Sequence, residues 1–157
     1  MKVGRITCSD RASAGVYQDA GGPEIERVFS SIWSGPVEFT AKIIPDDVEG
    51  IKAALIELSD KVGCPLIITT GGTGFAKRDV TVEATLAVLE KELPGFGEIM
   101  RAQSFAVAPT SILSRATAGI RGRSLIINLP GNPKAIAQCL PPLLPAIREA
   151  LRHLEES

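Results

Sequence analysis

The sequence predicts an α/β fold: a doubly wound, largely parallel sheet with helices on both faces and a small antiparallel strand pair. In the first half of the chain, short apolar runs alternate with longer stretches of helical spacing, in the order strand, helix, strand, helix, strand, helix. Two later apolar runs are separated by only three residues, which favours an antiparallel pair. A length of 157 residues fits one domain, residues 1–157, with a core of its own.

The first two strand and helix units come before Pro65. Residues 2–8 form the first predicted strand, and the small polar residues 9–15 follow it as a loop. Residues 23–33 carry apolar side chains at helical spacing and stop before a Gly-Pro pair. Residues 37–44 alternate partly, as a strand does, and a second helical stretch begins at Val48 and ends near residue 63.

The C-terminal half adds a helix, the strand pair and a long helical region. Residues 98–107 have helical composition, and the two runs 116–120 and 124–129 form the predicted antiparallel pair. The last region, 134–155, is helical but contains three prolines, which are expected to interrupt it.

The third strand leads into the most informative stretch of the chain. Residues 66–70 are an apolar, β-branched run typical of a strand buried on both faces, and residues 71–74 are Gly-Gly-Thr-Gly. Glycines let backbone N–H groups approach an anion closely, and Lys77 and Arg78 add positive charge. Asp79 adds a hard carboxylate that could hold Mg²⁺ against the same anion. This stretch therefore predicts a phosphate site.

A predicted helix over residues 80–89, with Thr81 or Asp79 as its N-cap, would receive the phosphate at its N-terminus. The glycine spacing fits neither the common P-loop nor the dinucleotide fingerprint, and Gly-Gly-Thr-Gly by itself is also an ordinary tight turn. The charged residues that follow favour a functional site, because open sheets bind ligands at the carboxyl ends of their strands.

Composition excludes several other classes of protein. A net charge of −1 argues against a nucleic-acid surface, and 22% charged residues leave no apolar stretch long enough for a membrane span. No secretory segment is visible, so a cytoplasmic protein is expected. The odd number of scattered cysteines indicates buried thiols rather than disulfides or zinc. His153, the sole histidine, lies in a charged helical stretch, which leaves no base for Ser-His or Cys-His catalysis.

Three loops follow apolar strands, at residues 9–15, 71–79 and 130–133, and parallel strands would bring them to one edge of the sheet. Asp46 lies in a fourth such position. Its carboxylate could be a helix N-cap, or it could share a divalent cation with an aspartate from another loop.

Six motifs in this order resemble the molybdopterin adenylyltransferase family, which includes domains of plant molybdenum insertase fusions and of the scaffold protein gephyrin. They cover nearly the whole chain: Ser9-Asp10 with Ala14-Gly15, Ile44-Pro45-Asp46, Thr70-Gly71-Gly72-Thr73-Gly74 with Arg78-Asp79-Val80-Thr81, Pro94-Gly95-Phe96, Leu113-Ser114-Arg115-Ala116, and Asn128-Leu129-Pro130-Gly131-Asn132-Pro133. Val82 departs from the proline that relatives commonly carry, and Lys77 lies at a variable position.

The resemblance implies transfer of AMP from ATP to the terminal phosphate of molybdopterin, with release of pyrophosphate. Asp46 and Asp79 match the family's acidic pair, with the expected roles of catalysis and Mg²⁺ binding. The expected nucleotide-binding residues are Asp10, Gly71, Gly72, Thr73, Gly74, Pro130, Gly131 and Asn132. Ser104, Ser114 and Arg115 match positions expected near molybdopterin and its phosphate.

The family also implies a homo-oligomer, with a trimer favoured, and a molybdenum insertase as a possible partner. One alternative is a non-catalytic molybdopterin-binding or scaffold module of the same fold, which intact Asp46 and Asp79 disfavour. A second alternative, the insertase domain itself, usually belongs to a longer chain. A nicotinamide dehydrogenase is disfavoured because no dinucleotide fingerprint follows the first strand.

Overall fold

A six-stranded sheet organises the fold in the computed structural model, which describes residues 1–157. The strands are β1 (Lys2–Cys8), β2 (Glu38–Ile44), β3 (Leu66–Thr70), β4 (Lys91–Glu92), β5 (Ala118–Arg121) and β6 (Ser124–Leu129). They lie in the order β2-β1-β3-β6-β5-β4. The first four strands in this order are parallel, and β5 runs antiparallel to both β6 and β4. The predicted fold class is confirmed.

Helices cover both faces of the sheet: α1 (Asp10–Ser13), α2 (Gly21–Ile32), α3 (Val48–Ile56), α4 (Thr81–Val88), α5 (Gly95–Phe105), α6 (Pro133–Cys139) and α7 (Leu144–Glu156). Alternate residues of β3 enter different cores. Leu66 and Ile68 pack with α2, α5, α6 and α7, whereas Ile67 packs with α3 and α4. Burial on both faces is consistent with the apolar and β-branched composition of residues 66–70. None of the helices has the length and apolar character needed to cross a bilayer.

Several elements differ from the sequence prediction, most of them by one to three residues at their ends. The loop 9–15 contains the single turn α1, because the Ser9 hydroxyl accepts a hydrogen bond from the Ala12 N–H at 3.2 Å. The two-residue strand β4 was not predicted. A 3₁₀ turn at Pro141–Leu143 separates α6 from α7, since consecutive prolines lack the N–H groups that a helix needs. Pro145 does not interrupt α7, because it lies in the first turn, where no N–H is required.

Candidate active site

The carboxyl ends of the four parallel strands meet at one edge of the sheet. Asp10 follows β1, Asp46 follows β2, the loop 71–79 follows β3 and the turn 130–132 follows β6. Thr70 Oγ1 donates a hydrogen bond to Pro130 O at 2.7 Å, which ties the end of β3 to the turn after β6. The predicted convergence of these loops is confirmed.

Asp10 and Asp46 are joined by two reciprocal hydrogen bonds. The Asp10 backbone N–H donates to Asp46 Oδ2, and the Asp46 N–H donates to Asp10 Oδ1, each at 3.0 Å. Asp47 caps α3, since its carboxylate accepts from the Gly50 N–H at 2.7 Å. The helix-cap alternative for Asp46 is therefore wrong, and Asp46 Oδ1 remains available.

The glycine loop, residues 71–74, presents a row of backbone donors. Gly71 and Gly72 have φ values of +92° and +67°, which side chains rarely adopt. The Gly71 N–H donates to Leu129 O at 3.2 Å, but the N–H groups of Gly72, Thr73 and Gly74 have no acceptor in the protein. Successive unpaired N–H groups in such a turn form a concave anion site.

Two buried oxygens beside Gly72, Asp46 Oδ1 and Thr81 Oγ1, have no hydrogen-bond partner. A Cβ on Gly72 would collide with the Thr81 hydroxyl and would lie 3.4 Å from Asp46 Oδ1. Unpaired buried polar atoms are uncommon, because each one loses its hydration without compensation. The two oxygens therefore mark a place that can receive a cation or another polar group.

The charges around Asp46 also favour a cation. Burial raises the pKa of Asp46, and the negative charges of Asp10 and Asp79 act in the same direction. The Arg78 guanidinium donates two hydrogen bonds of 2.9 Å to the Asp10 carboxylate and lowers the pKa of that group. Arg78 thus offsets the charge of Asp10, whereas no basic side chain forms an ion pair with Asp46.

Asp46→Asn is expected to raise the free energy of unfolding of the metal-free protein at pH 7. Because the folded-state pKa is raised, ionisation of Asp46 costs stability; this cost is fully present above the raised pKa and disappears as the pH falls below the unfolded value. The amide oxygen keeps the acceptor for the Asp10 N–H. Urea unfolding in the presence of EDTA measures the gain. Asp47→Asn, a neighbouring change that keeps its helix cap, is the control, and an equal gain in both variants would contradict the explanation.

Asp79 lies beside the glycine loop at Gly74. Its Oδ2 accepts from the Ala76 N–H at 2.9 Å, and a Cβ on Gly74 would lie 2.7 Å from the same oxygen. The residue before α4 is Val80, and no side chain caps this helix. The prediction that Asp79 or Thr81 is the N-cap is therefore wrong, because both side chains turn towards the glycine loop instead.

Arg115 braces the segment that carries Asp79. Its Nε donates to Gly74 O at 2.7 Å, and Nη2 donates to Asp79 O at 3.0 Å. Nη1 and Nη2 also donate to the two Glu83 carboxylate oxygens, at 2.6 and 3.0 Å. Both edges of the guanidinium thus donate hydrogen bonds to other groups of the protein. Contact between Arg115 and a phosphate stays a prediction.

The turn after β6 packs against the glycine loop. A Cβ on Gly131 would lie 3.4 Å from the Gly71 Cα, so the two backbones are close together. The Asn132 side chain caps α6 by accepting from the Lys134 N–H at 2.9 Å. This turn therefore forms one wall beside the row of backbone donors.

A cavity of about 440 Å³ lies on the Asp79 side of the glycine loop. Ser104 and Ser114 line it, as do Thr73, Gly74, Asp79, Met100, Leu113, Pro130 and Cys139. Seven other predicted site residues lie outside its lining: Asp10, Asp46, Gly71, Gly72, Arg115, Gly131 and Asn132. The lining thus includes Asp79 but not Asp46.

Arg101 and Gln138 line the same cavity but were not selected from the sequence. Arg101 precedes Ser104 by three residues, so both lie on one face of α5, and this spacing was the available signal. Gln138 gave no comparable signal. Lys77, which was expected to add positive charge to the phosphate site, is exposed, and its role stays a prediction.

This chain is similar to several known proteins. Residues 4–149 match the family described as "Probable molybdopterin binding domain". The molybdopterin adenylyltransferase of Helicobacter pylori strain J99 is 52% identical over 147 residues, which cover 94% of this chain and 84% of the relative. The enzyme of the same name from Escherichia coli K12 is 50% identical over 140 residues, covering 89% of this chain and 72% of the relative. The crystal structure of the molybdopterin biosynthesis enzyme MoaB from Thermus thermophilus has a TM-score of 0.89 at 41% identity, covering 99% of this chain and 97% of that chain.

Proposed function

The chain belongs to the family of the molybdopterin-binding domain, and we propose that its site transfers AMP from ATP to the terminal phosphate of molybdopterin, releasing pyrophosphate. Relatives about half identical to it bear the name molybdopterin adenylyltransferase. The observation that carries the proposal is the position of both Asp46 and Asp79 beside the glycine loop, the first next to Gly72 and the second next to Gly74. Two ligands bound along this loop would meet at the acidic pair.

The reaction requires no nucleophile from the protein. An oxygen of the molybdopterin phosphate attacks the α-phosphorus of ATP, the bond from that phosphorus to the oxygen bridging to the β-phosphate breaks, and pyrophosphate leaves. The three cysteines are buried, and burial raises the pKa of the Cys8 thiol to about 12. His153 is exposed and pairs with Glu149 on α7. Catalysis therefore consists of aligning the two substrates and offsetting the charge that develops.

The nucleotide is assigned to the part of the glycine loop next to Asp46. The unpaired N–H groups of Gly72, Thr73 and Gly74 are suited to the phosphate oxygens of ATP, and Gly71 gives the loop its bend. The nucleotide would then be bordered by Asp10 and by the turn Pro130, Gly131 and Asn132. An anion placed here also faces Arg78, which would offset part of its charge.

Molybdopterin is assigned to the cavity of about 440 Å³ that Asp79 helps to line. The cavity has the size of a small-molecule site, and Met100, Leu113 and Ala116 give it apolar walls suited to a pterin ring. Ser104 and Ser114 supply hydroxyl groups for the polar edge of the ligand. The resemblance places Arg115 near the phosphate end of molybdopterin, where it would hold the segment that carries Asp79.

The residues present fit Mg²⁺. Asp46 Oδ1 and Thr81 Oγ1 are unpartnered hard oxygens, and the Asp79 carboxylate lies on the adjacent turn. No cluster of three or more acidic, histidine or cysteine side chains is present, as is usual for Mg²⁺ sites in which substrate phosphates and water supply the other ligands. Asp46 and Asp79 would hold the ion, which when bound would neutralise triphosphate charge and polarise the α-phosphate.

We further propose that residues 1–157 act as one domain in a cytoplasmic homo-oligomer, with a trimer favoured and an insertase as the partner that takes up the product. Exposed large apolar side chains on the segment 105–113 support self-association: Phe105, Val107, Ile112 and Leu113 are all at least 48% exposed. A folded monomer at micromolar concentration in analytical ultracentrifugation would contradict this assembly.

Mixing the protein with Mg-ATP and molybdopterin is expected to release pyrophosphate and to form adenylylated molybdopterin in equal amounts. Omitting molybdopterin or chelating the metal should abolish both products. Folded protein that binds molybdopterin without releasing pyrophosphate would favour the non-catalytic module instead.

A further inference from the structure

Arg101 carries an unpaired positive charge inside the cavity. Its Nη1 donates to Ser114 O at 3.2 Å and to Ala116 O at 2.9 Å. Nε and Nη2 have no acceptor in the protein, and neither atom is sealed from solvent. No carboxylate pairs with this guanidinium, and Arg101 is the only basic residue that lines the cavity.

The guanidinium is held at a defined position. A Cβ on Gly97, one helical turn earlier, would lie 2.9 Å from Arg101 Nη1 and 3.0 Å from Nη2, so the absence of a side chain at 97 gives the group its room. The two carbonyls fix one edge, and the other edge remains free. Arg115 is the opposite case, because Glu83 and two carbonyls use both of its edges.

A free, oriented guanidinium in a largely apolar cavity is suited to an anion. The free edge presents two N–H groups in one plane, and these match a phosphate with two parallel hydrogen bonds. We propose that Arg101, and not Arg115, contacts the phosphate group of the substrate bound in this cavity. The inference rests on the proposed function and changes its assignment of the phosphate-binding arginine.

The test compares two ligands and two proteins. Affinities of the wild type and of Arg101→Gln are measured by equilibrium ultrafiltration for molybdopterin and for its dephosphorylated form. The wild type is expected to prefer the phosphorylated form about ten- to a hundredfold, the usual effect of hydrogen bonds to a charged group. Arg101→Gln should lose that preference and bind the dephosphorylated form as the wild type does. Arg101→Lys, which keeps the charge but not the planar edge, should retain part of it.

Two control variants separate binding from structure. Arg115→Gln should weaken both ligands by a similar factor, because it loosens the segment that forms one wall. Arg27→Gln, on the exposed surface of α2, should change neither affinity. Thermal unfolding of each variant reports any loss of fold independently.

Each other outcome overturns the inference. Equal weakening of both ligands by Arg101→Gln would mean that Arg101 only ties α5 to the segment 114–116. A loss of phosphate preference in Arg115→Gln alone would restore the original assignment. Equal affinity of the wild type for both ligands would show that the cavity does not bind the phosphate, whereas binding of neither ligand would refute the proposed function as well.

Discussion

Asp79→Asn is expected to lower kcat/KM for AMP transfer by about a thousandfold while leaving the fold intact. The amide oxygen can still accept the Ala76 hydrogen bond, so the turn is preserved. The variant loses the negative charge that would hold Mg²⁺ beside the reacting phosphates, and removing one well-placed electrostatic contact typically costs about 10²–10³ in rate. Initial rates of pyrophosphate release, with ATP saturating and molybdopterin varied, measure the effect.

Asp47→Asn is the matched control, since this residue is exposed, adjacent to Asp46 and occupied with capping α3. It should retain the wild-type rate. The double variant Asp46→Asn/Asp79→Asn should be little slower than the worse single variant, because residues that act as a unit are not additive. An Asp79→Asn protein with wild-type turnover would remove the acidic pair from the mechanism.

The sheet was predictable where burial alone determines the strand. Residues 66–70 and 124–129 were predicted to the residue, because each is a short, mainly apolar run that is buried along its whole length and bounded by proline, glycine or polar residues. Strand β4 could not be found in this way. Lys91 and Glu92 are both exposed, and they become a strand only by pairing with Ile120 and Gly119, which are distant in sequence.

The candidate site was predictable in residue type and location, but not in the partner of each side chain. Asp46 and Asp47 are equally suited by residue type to cap a helix. In the structure the Asp46 carboxylate accepts a hydrogen bond from the Asp10 N–H of a distant loop, and Asp47 caps α3. Arg101 and Arg115 also differ in their partners, which residue type alone does not predict. Arg115 is neutralised by Glu83, 32 residues away in sequence, whereas no acidic residue lies close enough to pair with Arg101.

Gly71→Ala is expected to lower the free energy of unfolding by about 3–5 kcal/mol and to abolish turnover. A φ of +92° is strained for alanine, and the new Cβ would collide with the backbone carbonyl oxygen of Cys8 at the end of β1. Cys8 is the last residue of β1 and is held in register with Ile44 of β2, so the glycine loop is expected to move away from the strand edge. The unpaired N–H groups would then no longer face the ligand. Urea unfolding and pyrophosphate release measure the two effects.

Gly122→Ala separates backbone strain from the collision. Gly122 also has a positive φ, +53°, but nothing lies within 4 Å of its added Cβ, and it occupies the turn between β5 and β6, away from the site. Its replacement should cost only about 1–2 kcal/mol, the strain of a left-handed alanine, with turnover unchanged. Equal destabilisation by the two substitutions would mean that the close approach of the glycine loop to Cys8 contributes nothing. Full activity in Gly71→Ala would show that the position of the loop against β1 does not govern phosphate binding.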